Sequence, residues 1–185
     1  MPPPEQHKEV AKYLKGQIGG DVAVSAFRDS NGNRPIPIGQ FGSGSDVFYS
    51  TIGAFDSPKS LPAGDFEFAA IGSLSWLPDA IASSIYWLSE RSCEAWPLVC
   101  EDVVRDNVRS NYRHMAFMPS PATFDLSDGR SIRWLLGVPV TDRQIGIEEN
   151  EVFREAQSHY PAWLFTTTEA EQAGGHQPPT RTEST

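Results

Sequence analysis

Chemistry in this chain would have to rest on its histidines, cysteines and carboxylates, so their spacing is the place to begin. The four histidines, His7, His114, His159 and His176, are scattered. There is no HExxH, no histidine pair at i, i+4 and no Cys/His cluster, so the sequence supports no metal site and implies no cofactor. The segment Gly39–Ser45 is rich in glycine, but a strand pattern rather than a helix follows it and no Lys-Ser/Thr closes it, which argues against phosphate binding. Gly42-Ser43-Gly44-Ser45 lacks the spacing of a nucleophile elbow. His114 falls inside an apolar strand, where a hydrogen-bonded core histidine is the simpler reading than a general base. No catalytic residue is assigned. Carboxylates are abundant, and they gather in two places: Glu101, Asp102 and Asp106, then Glu148, Glu149, Glu151 and Glu155. Those clusters are either solvated faces or a surface for a basic protein partner.

Composition narrows the classes further. The 185 residues carry a formal charge of −9, which disfavours nucleic acid as a ligand because phosphate binding needs a basic surface. No apolar run approaches the length of a membrane span, and the N-terminus has no apolar signal region, so a cytoplasmic location is expected. Cys93 and Cys100 lack metal-ligand spacing and read as reduced thiols rather than a disulfide.

The elements that must position these side chains follow from periodicity. Residues 1–20 read as an N-terminal helix and linker, residues 21–165 as one α/β domain, and residues 166–185 as a disordered tail poor in apolar side chains. The organising stretch is Arg130–Gln144: Ile132, Trp134, Leu135, Leu136, Val138 and Val140 follow one another with few polar side chains, as in a strand covered on both faces at the centre of a sheet. Its pairing is expected to fade at Pro139, and Thr141-Asp142-Arg143-Gln144 offers a capping box to a helix.

Further strands are expected at Asp21–Phe27, Val47–Ile52, Asp65–Gly72 and Tyr112–Met118, the last stopped by Pro119 and Pro121. Ile36-Pro37-Ile38 reads as a short strand at an edge, with a loop from Gly39 to Ser45. Leu98–Cys100 and the polar residues after it fit either strand or loop. Gly53 closes its strand where a positive φ or a close approach is needed. Helices are expected at Glu5–Lys15, from Ser75 or Pro78 onward with Ile81, Ile85 and Leu88 inward, and at Ile147–Tyr160. Tyr86 and Trp87 flank the second helix's apolar stripe, as packing or as ligand contacts. Trp163-Leu164-Phe165 is a last apolar anchor.

In order and spacing, five stretches resemble the suppressor-of-fused (SUFU-like) domain family: Tyr49–Gly53, Phe66–Ala69, Trp76-Leu77-Pro78, Ser110–Phe117 and Ile132–Thr141. The resemblance spans roughly residues 22–166. Gln144 stands where the family carries Glu, and Ala95-Trp96-Pro97 where it carries Gly-x-His. The resemblance implies a mixed central sheet flanked by helices and a non-enzymatic, protein-binding role. In the single-domain bacterial form it implies an immunity protein that neutralises a secreted toxin. If that toxin is a nuclease its surface is basic, and an acidic inhibitor suits it. The binding residues expected on this reading are Tyr86, Glu101, Asp102, Asp106, Glu148, Glu149 and Glu151. Capture of an extended peptide on a sheet edge is the alternative within the binding class, and a small hydrolase using His114 and a carboxylate the alternative outside it.

Overall fold

The computed structural model describes residues 2–28, 35–42, 46–56, 64–91, 95–104 and 111–166. Seven strands form one sheet: β1 Val22–Phe27, β2 Ile36–Phe41, β3 Phe48–Thr51, β4 Asp65–Ile71, β5 Leu98–Cys100, β6 Tyr112–Asp125 and β7 Ser131–Thr141. Their order is β1-β2-β3-β4-β7-β6-β5, with β4 and β7 parallel and every other pair antiparallel. The sheet is therefore mixed.

Helices cover both faces. Alternate residues of the inner strands supply two cores, as the twofold side-chain period requires. On one face Phe66, Phe68, Phe117 and Leu135 pack under helix α2, Leu77–Ser89, through Ile81, Ile85 and Leu88. On the other, Ile132, Trp134, Leu136 and Val138 meet α1, Glu5–Ile18, and α3, Glu149–His159. Val10 and Leu14 of α1 are fully buried there, so this helix is part of the core.

The expected double coverage of β7 is observed, since every residue from Trp134 to Val138 is buried. The middle position belongs to β4, however, and β7 lies beside it. The pairing around Pro139 is one-sided. The ladder to β4 ends at Ala69 and Leu136, before the proline, while the ladder to β6 runs on through Met115–Pro139 to Tyr112–Thr141.

Other prolines are accommodated differently from expectation. Pro37 lies in an interior strand, not at an edge; it lends its carbonyl to Ile52 N–H at 2.9 Å while β1 covers the other side. Gly39, Gln40 and Phe41 continue that strand rather than forming a loop. β6 is not stopped by Pro119 and Pro121, because its register shifts between Pro119 and Thr123. In that bulge the Ser120 hydroxyl donates to the Leu164 carbonyl and accepts from Ala122 N–H, so side-chain bonds replace those the prolines cannot make. Leu98–Cys100 is a strand at the edge.

Helix starts also differ. Neither Ser75 nor Pro78 begins α2; Trp76 occupies the cap without a side-chain bond, and proline sits in the first turn. Thr141 N–H donates to Gln144 Oε1 at 3.0 Å, but the box opens only a 3₁₀ turn, Asp142–Gln144. Gly146 and the extended Glu148 then separate that turn from α3. Gly53 has a φ of 95°, and a Cβ there would lie 2.0 Å from the His7 ring, so it meets both expected demands.

Candidate functional site: the carboxyl end of the parallel strands

The parallel pair determines where a site can form. Beyond Ala69 and Leu136 the two strands part: the chain leaves β4 for α2 on one face and leaves β7 for α3 on the other. Such a reversal opens a crevice outside the strand ends, the usual ligand position in open α/β sheets. Tyr160, just after α3, closes the bottom of the split. Its hydroxyl bridges the Gly137 carbonyl at 2.7 Å and the Ala69 carbonyl at 2.9 Å. Gly137 has no room for a side chain, since a Cβ would lie 2.6 Å from the Phe117 ring and 3.0 Å from the Ala69 carbonyl.

Above this floor lies an open groove of about 970 Å³. Val138, Pro139, Leu74, Tyr112, Arg143, Ile147, Glu151 and Glu155 are among the residues that line it. Of the four large apolar residues exposed among the described residues, Leu74, Tyr112 and Ile145 lie on or beside this groove.

Several expected binding residues reach the same end of the sheet. Glu101 and Asp102 follow β5, whose last residue pairs with Met115 close to the start of β6. Glu148, Glu149 and Glu151 lie at the start of α3 and are exposed. Glu101, Glu148, Glu149 and Glu151 have no ion-pair partner among the described residues. Asp102 differs. It adopts a left-handed φ of 54°, its N–H donates to His114 Nδ1 at 3.0 Å, and its carboxylate stands 3.6 Å from Arg113. Tyr86 is not brought to this place. It sits half-buried on α2, and its hydroxyl donates to the Phe27 carbonyl at 3.2 Å. Asp106 and Cys93 lie outside the described residues; Cys100 is fully buried.

His114 is 2% exposed and held from both ring nitrogens. Since Nδ1 accepts from Asp102 N–H, Nε2 carries the proton and donates to Asp142 Oδ1 at 2.9 Å. That bond, together with the Arg113 guanidinium, holds the Asp142 carboxyl below the usual range. The histidine does stand beside a carboxylate, but it is not among the groove's lining residues. Its bonds fasten the ends of three strands.

Two of the stretches that carry the family resemblance meet in a second polar cluster, buried under α1. Glu67 is fully buried and accepts hydrogen bonds from the Thr51 hydroxyl, from Gly53 N–H and from Ala54 N–H at 3.2 Å. Thr51 Oγ1 in turn accepts from Phe68 N–H at 2.8 Å. A buried carboxylate with several donors ties the turn after β3 to β4. Nearby, Asp56 joins His7 and Arg130, each at 2.9 Å, and fixes α1 against the start of β7.

A comparison with solved structures finds a chain of the Sufu-Fu complex crystal structure, 14% identical, matching over 90% of this chain and 91% of that one with a TM-score of 0.51. The fold is SUFU-like. At that identity the likeness carries the architecture alone. No protein-family model matches the chain, and no curated protein does. Within the SUFU-like fold the groove residues Leu74 and Arg143 carry no local sequence signature. Leu74 and Arg143 come together because β4 and β7 are parallel neighbours, and Tyr112 joins them through its pairing with Thr141 at the end of β7.

Proposed function

We propose that this chain is a non-enzymatic protein-binding domain that engages a basic partner through the acidic end of its sheet. One observation carries the reading: the unpaired carboxylates of Glu101, Glu148, Glu149 and Glu151 share that end with three exposed apolar side chains. Charge there speeds encounter, and apolar contact then holds the complex. The SUFU-like architecture, and a structural neighbour solved as a protein complex, agree with this role. The finer assignment is an immunity protein that acts in the cytoplasm, neutralising a secreted toxin by direct binding. The candidate to test is the protein encoded beside this one. Co-expression should abolish that protein's toxicity and yield a stoichiometric complex on gel filtration. Toxicity that persists when both proteins are folded and soluble refutes the assignment.

A second reading has its own support. β1 is an open edge whose residues Ala23–Ala26 are exposed, with Val24 at 57%, so an extended peptide has backbone groups to pair with. Protection of the β1 amides from hydrogen exchange on partner binding would favour this edge over the acidic end.

A further inference from the structure

The groove at the carboxyl ends of β4 and β7 has a chemistry of its own. Its lining includes the apolar Val138 and Pro139, and Leu74 and Tyr112, each 39% exposed, present apolar surface to solvent beside them. Exposed apolar side chains gathered at one concavity are a mark of binding sites. Glu151 brings a negative charge with no ion-pair partner among the described residues, and Glu149 precedes it on the same exposed turn. Arg143 adds one positive charge, so an occupant that is basic throughout would meet repulsion as well as attraction. The groove is open and most of its lining is exposed, which suits a segment lying across it rather than an enclosed small molecule. On the side facing β4, β7 has no ladder beyond Leu136, and Pro139 offers no N–H there, so side chains must dominate recognition.

We propose that this groove seats a short segment of a partner protein in which an apolar side chain lies within a few residues of a Lys or Arg. The apolar group rests on Pro139 between Leu74 and Tyr112, and the cation faces Glu151. This rests on the protein-binding reading above and specifies what the partner must present.

The test needs no knowledge of the partner. Three blocked hexapeptides serve as probes: one with Phe and Lys, one with Phe and Glu, one with Ser and Lys. Each is titrated into the full ¹⁵N-labelled chain while backbone amide shifts are followed. The Phe/Lys peptide should saturate, with the largest shifts at Asn111, Thr141 and Gly146, and bind at least about tenfold more tightly than the other two. Leu74→Ser and Glu151→Lys should each weaken it about tenfold. Both residues are exposed, and the same spectra report whether each variant is folded; Glu151→Gln serves as the milder substitution. Equal binding of the Phe/Glu peptide, shifts confined to β1, or no saturable binding by any probe overturns the proposal. A partner protein that binds the parent and both variants equally also overturns the groove, but leaves the protein-binding reading standing. Absence of toxin protection with the peptide response intact refutes the immunity assignment and leaves the groove proposal standing.

Discussion

Replacing Tyr160 by phenylalanine isolates the contact that holds the sheet together where its parallel strands divide. The ring is buried and meets Phe48 edge-on at 6.2 Å between centroids, and phenylalanine keeps that packing. What disappears is one hydroxyl shared by two buried carbonyls, Gly137 at 2.7 Å and Ala69 at 2.9 Å. A buried hydrogen bond is worth about 0.5–1.5 kcal/mol net, and a stranded polar group costs about 1–3 kcal/mol. Each carbonyl can keep other contacts, so the expected loss is about 2 kcal/mol. For a chain of this size that corresponds to a fall in melting temperature of about 4–8 °C. In urea the midpoint should fall by on the order of 1 M with an unchanged slope, since the area exposed on unfolding is the same. Tyr160→Ala, which also removes the ring, should cost about 3–5 kcal/mol. Burial pushes the Tyr160 hydroxyl well above its ordinary range, so the group stays a donor and its contribution should persist into alkaline solution. If Tyr160→Phe unfolds within about 0.5 kcal/mol of the parent, other donors already serve those carbonyls. The divergence of β4 and β7 would then not depend on this side chain.

Other expectations can be checked by ordinary means. Leu136→Asp places an unpaired carboxylate at a fully buried position and should cost several kcal/mol, comparable with the whole stability of a domain, so that circular dichroism finds little folded protein. Burial alone would raise the Asp56 carboxyl, but hydrogen bonds from Arg130 and His7 outweigh it and leave the group below its ordinary value. Its contribution is therefore present above about pH 4 and lost as pH falls through the lower folded value, and Asp56→Asn should flatten this part of the acid limb in urea midpoints from pH 2 to 6. His114→Gln should lower stability by about 1–2 kcal/mol through lost bonds to Asp102 and Asp142, and should leave partner binding intact in a titration. Reversing charge at Glu148, Glu149 and Glu151 should slow association with a basic partner and flatten its salt dependence while dissociation barely changes; a parent rate independent of salt refutes electrostatic capture.

The sequence is most informative where a rule is local. Continuous apolar character marks β7 as covered on both faces, and the spacing of Ile81, Ile85 and Leu88 finds the buried side of α2. Prolines mislead because their tolerance depends on distant partners. Pro37 sits inside the sheet while supplying only its carbonyl, and Ser120 rescues the bulge between Pro119 and Thr123 by bonding to Leu164. Glu67 stands among apolar residues in a strand pattern, and nothing near it in sequence announces the N–H groups of Gly53 and Ala54 that make its burial tolerable. The acidic clusters are legible as composition, but their meeting at one end of the sheet is not, because strand order is a long-range property.

The one parallel pair carries most of the functional argument. An antiparallel hairpin returns the chain beside itself and leaves no split at its closed end, whereas adjacent parallel strands send the chain away in the same direction. Here α2 and α3 take it to opposite faces, so the space above β4 and β7 cannot be filled by either helix. Tyr160 and the bare Gly137 close the lower part of that space, where two backbones come near each other. The upper part is left to whatever side chains the connections supply: Leu74 from the route to α2, Arg143 and Ile147 from the route to α3, Tyr112 from the neighbouring strand. None of these holds the sheet together as Phe68 or Trp134 does, so the fold leaves their chemistry free to be fitted to a partner.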